Sequence, residues 1–256
     1  RSGPDTASMR PVWPMGPSAP GYQLVYLGIM GPQDGVDQAL LVMDELVNVR
    51  RRTDIHLSLL GFGDCLDELR AQSAALGLEG HVTFTGRADR TMVADYLSAA
   101  DLGVCPDLKT PLNDVSTMNK VMEYMAYYLP LVSFDLHESR LTAGDTAVFL
   151  ESGDIRGFAD AVCTLLDDEP RRVRMGRAAR ARVSTQLDWS LESARYVRVF
   201  EELLGPAPRP TARGEADCAP PAGRQYVDLE DPAELRTFLT SRGRARHPEV
   251  EEATHA

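Results

Sequence analysis

Cysteine, aromatic residues and long apolar runs are all scarce in this chain of 256 residues, and each scarcity removes a class of explanation. Its four cysteines, Cys65, Cys105, Cys163 and Cys218, stand far apart without C-x-x-C spacing, which argues against a zinc ribbon or a disulfide framework. Nowhere do about 18 apolar residues follow one another, so no stretch is suited to span a membrane. The opening residues "RSGPDTASMR" have no apolar signal-peptide core and no initial Met. Basic residues are outnumbered, 27 Lys and Arg against 38 Asp and Glu, for a net charge of −11. That balance argues against nucleic acid or an anionic membrane as the main partner, and any bound anion must be held locally. No Ser-His-Asp set, H-E-x-x-H or D-x-D metal pair is present. Of the five histidines only His137 falls beside an expected ligand edge. These features describe a soluble protein of a reducing compartment.

What is present is an alternation. Residues 1–22 are rich in Pro, Gly and Ser and read as a linker. From 23 to 204 short β-rich runs alternate with amphipathic ones. The expected strands are 23–28, 55–61, 81–86, 102–106, 129–134 and 147–150, and the expected helices are 36–50, 64–77, 89–99, 116–128, 155–167, 170–183 and 188–204. Such alternation predicts an α/β domain, a Rossmann-like, doubly wound parallel sheet of about six strands with helices on both faces. Ligands of such sheets bind beyond the carboxyl ends of the strands. Residues 205–256 are Pro/Ala/Gly-rich and read as a largely disordered tail with at most a transient helix near 232–243.

The stretch "NDVSTMNKVMEYMAYYLPLV" (113–132) carries the most chemistry. At about 100° per residue, Ser116, Lys120, Glu123 and Tyr127 share a stripe, opposite Met118, Val121, Met122, Met125 and Leu129. Ser116 or Thr117 is the expected N-cap. Free N–H groups, the positive end of the helix dipole and the Lys120 ammonium together make a phosphate site. The Glu123 carboxylate, one turn further along, suits the vicinal hydroxyls of a ribose. A solvated helix face with an i,i+3 ion pair is the plain alternative. Together Lys120 and Glu123 describe a ligand carrying phosphate and ribose, and replacing either residue by Ala is expected to weaken its binding without unfolding the domain. Gly31 and Gly35, in "GIMGPQDG" after the first strand, permit close backbone approach. Gly61, in "LGFGD", and Gly86 with Arg87, in "TGRAD", are turns of the same kind, the latter suited to meet a flat base. Each of these turns also reads as an ordinary strand-to-helix connection.

"FTGRADRTMVADYLSAADLGVCPDL…STMNKVMEYMAYYLPLVSFDL" resembles the C-terminal domain of family 4 glycosyltransferases of GT-B fold. "EYMAYYLPLV" is similar to the second half of that family's E-x7-E motif and the segment after it, with Glu123 as the second acid. "VYLGIMGPQDGVDQAL" and "QLDWSLESARYVRVFEELL" are similar to the domain's opening loop and closing helix. The resemblance implies a retaining, metal-independent transferase without cofactor, whose donor is a nucleoside diphosphate sugar. It places the ribose on Glu123, the diphosphate at Ser116, Thr117 and Lys120, and the Gly31–Gly35 loop beside phosphates and sugar. The position of the family's first acid holds Val115, so Asp114 is expected to substitute, making Asp114 and Glu123 the expected catalytic acids. The family's basic residues in the first loop are absent, and Tyr128 stands near its usual glycine. "RSGPD" resembles the junction with a preceding acceptor-binding domain, so that half is expected on another segment or chain. The expected location is cytoplasmic, with membrane contact through that other half. A non-catalytic nucleotide-sugar-binding module is the alternative, and an epimerase of GT-B type a third reading.

Overall fold

The computed structural model describes residues 3–13, 16, 21–205 and 219–242. Six strands form one wholly parallel sheet: β2 (Tyr22–Leu27), β3 (Ile55–Leu60), β4 (Val82–Gly86), β5 (Leu102–Cys105), β6 (Leu131–Phe134) and β7 (Ala147–Leu150). Their order is β4-β3-β2-β5-β6-β7, so the chain reverses its direction of winding between β2 and β5. Each strand falls within a residue or two of its expected position. The near-continuous apolar runs suit strands covered on both faces.

The helices form two layers. On one face lie α1 (Val36–Asp44), α2 (Leu66–Ala75) and α7 (Ile155–Asp167), which bury Leu40, Met43, Leu69, Phe158 and Leu165 in one core. On the other lie α3 (Arg90–Ala99), α5 (Asn119–Ala126) and α8 (Glu169–Arg182), which bury Leu97, Val121, Met122, Met125 and Ala179 in a second. The remaining helices of the domain are α4 (Pro111–Asp114), α6 (His137–Ala143) and α9 (Trp189–Leu204). No helix among the described residues is long and apolar enough to cross a membrane.

Three differences from expectation have local causes. The helix expected at 36–50 is α1 followed by a wider π turn over Glu45–Val49. The helix expected at 116–128 starts at Asn119, with Met118 as its cap residue and no side-chain cap bond. Ser116 is not its cap, because the Ser116 hydroxyl donates backward to the Leu112 carbonyl (2.7 Å) and closes the short α4. Thr110 caps that α4 by accepting from the Asn113 amide (3.1 Å). Tyr127 is buried, so the stripe assigned to ligand ends at Glu123, while Leu129 is buried as expected of the packed face.

The third difference concerns the chain segments flanking the domain. Residues 219–242, inside the stretch read as a largely disordered tail, are built onto the domain. Strand β1 (Val12–Trp13) pairs antiparallel with β8 (Gln225–Tyr226), and α10 (Pro232–Ser241) follows. Val227, Phe238 and Leu239 are buried against Tyr128, with Trp13 alongside. Arg224 makes a two-pronged contact with the buried Asp95 (2.6 and 2.7 Å), and Arg242 donates to the Tyr127 and Tyr128 carbonyls (2.6 and 3.1 Å). The Pro/Ala/Gly composition concealed these few apolar and arginine anchors. The expected tail residues 206–218 and 243–256, and linker residues 1–2, 14–15 and 17–20, lie outside the described residues.

Candidate functional site

The winding reversal between β2 and β5 leaves a crevice at the carboxyl edge, as doubly wound sheets do. A cleft of about 480 Å³ opens there, lined by the ends of β2 and β3, the turn after β4 and the first turns of α5. It brings together Gly61, Arg87, Thr117, Lys120 and Glu123 of the expected residues, and adds Gly28, Asp34 and Phe62.

Two glycines explain the close approach of the strand ends. Gly61 has φ +150°, and a Cβ there would stand 1.8 Å from the Gly28 carbonyl oxygen. A Cβ on Gly28 would in turn stand 3.0 Å from the Tyr26 hydroxyl and 3.2 Å from Lys120 Cε, closer than ordinary contact. The floor of the cleft is therefore backbone.

Lys120 is buried rather than solvated. Its Nζ lies 2.7 Å from Oδ1 of the buried Asp107, 3.3 Å from the Tyr26 hydroxyl and 4.5 Å from the Tyr26 ring centre. Burial alone would lower the ammonium's pKa, but the Asp107 carboxylate, with Tyr26 and Cys105, outweighs it and the net shift is upward. The pairing thus favours the charged form of the lysine. An ammonium has three N–H groups; Asp107 and Tyr26 take two of them, and Lys120 lines the cleft. Asp107 and Tyr26 had not been singled out from the sequence. Asp107 was findable, since "CPDLKT" follows β5 at the ligand edge.

Glu123 lies one turn along α5. Partial burial raises its carboxyl pKa above the ordinary 4.5, with Lys120 acting in the opposite direction. Asp34, from the turn after β2, also lines the cleft and is partly buried, and its carboxyl is also raised, first by burial, against the Gly31 hydrogen bond and Lys120. In the same cleft the Arg87 guanidinium lies 3.9 Å over the centre of the Phe62 ring, giving a flat, cationic surface.

Other expected residues sit elsewhere. Gly35, at φ +66°, is pressed against β5's exit, where a Cβ would lie 1.9 Å from the Pro106 carbonyl oxygen. Gly31 lines a neighbouring hollow with Pro32 and Phe62, and its amide donates to Asp34 Oδ2 (2.9 Å). Gly86, at φ +73°, accepts from the Gly61 amide (3.0 Å) and supports the floor from outside. Ser116 faces α4. Asp114 is not brought to the cleft: it accepts from the His137 amide (2.8 Å) and pairs with Lys109 (3.4 Å), and the amide bond leads the causes that lower its pKa. Val115, at the first-acid position, is 69% exposed.

Several known proteins are similar to this chain in sequence or in fold. Residues 21–168 match the family described as "Glycosyl transferases group 1". The chain is 31% identical over 207 residues to a phosphatidyl-myo-inositol mannosyltransferase of Mycolicibacterium smegmatis, covering 79% of this chain and 51% of that protein. It is 28% identical to a Mycobacterium tuberculosis glycogen synthase, covering 78% of this chain and 47% of the relative. The chain thus spans about half the length of the curated relatives it matches. Among solved structures, the C-terminal domain of a glycosyl transferase group 1 family protein from Francisella tularensis superposes with TM-score 0.61 at 19% identity, covering 73% of this chain and 99% of that one. The pneumococcal O-GlcNAc transferase GtfA in complex with UDP and GlcNAc does so with TM-score 0.66 at 16% identity, covering 80% and 39%. These structures share the Rossmann-like, GT-B type fold. With residues 21–168, more than half its length, matching one family, the chain belongs to the glycosyl transferases group 1 family.

Proposed function

We propose that this chain supplies the donor-binding half of a retaining glycosyltransferase of family 4, moving a hexosyl group from a nucleoside diphosphate sugar to an acceptor. The observation that carries the reading is the convergence of Lys120, Glu123 and the Arg87–Phe62 surface in one cleft at the winding reversal. Each matches one part of such a donor. The base lies on Arg87 and Phe62, the ribose hydroxyls donate to Glu123, and the diphosphate meets Lys120 and the first turn of α5.

In transfer the bond from the anomeric carbon to the diphosphate oxygen breaks. A bond from the acceptor oxygen forms on the same face, and the acceptor's proton leaves with the diphosphate. Negative charge grows on the leaving group, where a fixed ammonium and helix end stabilise it without reorganisation. No metal is assigned a part in this reading.

The acceptor needs a second wall, since positioning supplies much of the rate. We assign it to a further domain of the same polypeptide or to a partner chain. The half-length match to the relatives supports this, as does α9, on which Tyr196, Phe200, Leu203 and Leu204 are all more than half exposed. A cytoplasmic location, with membrane contact through the acceptor half, belongs to the same reading.

The test is a thermal-shift panel of UDP, GDP, ADP and their hexose conjugates, repeated with Glu123→Gln. One nucleotide series should stabilise the protein, and E123Q should weaken it by roughly 1.5–3 kcal/mol, the value of a charged hydrogen bond. A flat response to all of them would sink the reading. Saturable binding without turnover, even with an acceptor-binding chain added, would favour a non-catalytic module.

A further inference from the structure

The cleft holds a carboxylate that the ribose and diphosphate assignments leave unused. Asp34 ends the short 3-10 turn Pro32–Asp34 after β2, and its side chain enters the same cleft as Lys120 and Glu123. Oδ2 is fixed by the Gly31 amide (2.9 Å) and the Gln33 side-chain amide (3.3 Å). No hydrogen bond reaches Oδ1 among the described residues. The carboxylate is therefore aimed, with one oxygen held and the other available.

Its place relative to its neighbours gives it a direction. All three side chains line one cleft but come from different elements, Asp34 from the turn after β2, and Lys120 and Glu123 from α5. The Lys120 Nζ is tied through the Tyr26 hydroxyl to the Ile29 carbonyl, in the loop that carries Asp34, whereas Glu123 lies one helical turn further along α5. A nucleoside diphosphate sugar has the same linear order of ribose, diphosphate and sugar. With its diphosphate at Lys120 and its ribose at Glu123, its sugar arrives at Asp34.

The chemistry agrees. A carboxylate repels a diphosphate, so Asp34 is misplaced in a site for phosphate alone, but sugar hydroxyls are donors that a carboxylate accepts well. No other acid takes this part, since Asp114 is turned to His137 and Lys109 and position 115 is a valine. We propose that Asp34 is a specificity-determining residue that accepts hydrogen bonds from hydroxyl groups of the transferred sugar. This rests on the donor-binding reading above.

The experiment is isothermal titration of the full chain and of Asp34→Asn with UDP, GDP, UDP-GlcNAc and GDP-mannose, in EDTA and again with Mg²⁺. Asn keeps an acceptor for the Gly31 amide, and its melting temperature checks the fold; Asp34→Ser, whose hydroxyl also accepts, replaces it if D34N does not fold. In the nucleotide series that binds, D34N should lose about tenfold or more in affinity for the sugar conjugate. Affinity for the bare diphosphate should hold or rise as the nearby negative charge is removed. Equal losses for both ligands, or no change for either, overturn the assignment. A loss seen only with Mg²⁺ also overturns it, making Asp34 a metal ligand instead. If the unmodified chain binds none of the four, the donor-binding reading itself fails, an outcome distinct from any failure of Asp34 alone.

Discussion

Lys120 and Asp107 form a buried pair, at 8% and 1% side-chain exposure, and their energetics differ from those of a lysine on a solvated stripe. Removing one partner of such a pair leaves an uncompensated charge, typically at a cost of about 3–5 kcal/mol. Lys120→Ala should therefore lower stability by that order in urea unfolding, contrary to the expectation that it spares the fold. Lys120→Met combined with Asp107→Asn should recover much of the loss while nucleotide binding stays impaired. Glu123 makes the opposite case. Its native carboxyl pKa is raised, so the folded protein holds this proton to higher pH than the unfolded chain does. Its contribution to stability therefore falls as pH rises from the ordinary 4.5 through the native value, and is unfavourable above it. E123Q should thus melt higher than the parent at neutral pH in the absence of ligand, yet bind less well. Affinity for a nucleotide sugar should also decline on acidification sooner than an ordinary glutamate would allow. Asp34 titrates nearby, so comparison with E123Q isolates the Glu123 part. Lys120 and Glu123 were legible because helical periodicity places them together just after a strand. Asp107 stood at a legible ligand edge, but its pairing with Lys120 was not legible, nor were Tyr26 and Asp34, since nothing local reveals that loops from β2 and β5 converge on one ammonium.

Among the elements, the exit of α5 shows how a departure from a family pattern can be compensated. Tyr128 stands near the expected glycine and has φ +59°, a left-handed conformation that costs a non-glycine residue about 1–2 kcal/mol. Its ring is buried with Val227, Phe238 and Leu239, and Arg242 holds its carbonyl. Tyr128→Gly should relieve the backbone but lose the ring's packing, with a net loss of stability. In a Phe238→Ala background, where the ring has already lost its partner, the same change should cost less, with a coupling of roughly 0.5–3 kcal/mol. A thermal double-mutant cycle measures this, and additive effects would refute the compensation. The strands were legible to within a residue or two because apolar runs bounded by glycine leave few alternatives. The short helices α4 and α6 were missed because four and seven residues carry too little periodicity. The start of α5 was misplaced because a serine that could cap forward instead bonds backward.

For the whole molecule, the flanking segments are part of the folded unit. Trp13 meets Phe238 edge-on with ring centres 5.7 Å apart, and the chain has two tryptophans in all. Ending the chain at Gly205 should lower the melting temperature and shift Trp13 emission to the red, while Trp189 on α9 is unaffected. An unchanged spectrum would show that 219–242 does not cover Trp13 in solution. This contribution was illegible in a composition that reads as disorder, because a handful of anchors suffices when the receiving surface is already formed. The β1–β8 ribbon also bears on the order of assembly. It joins Val12 to Tyr226, near opposite ends of the described chain, by two residues on each side. Closing so long a loop for so few contacts is entropically disfavoured until the central sheet exists to template it. The ribbon should therefore form last and open first, so its amides lose protection in hydrogen exchange while β2 and β3 remain closed. Newly made chains then pass through a state in which the cleft is complete but Tyr128 still lies uncovered.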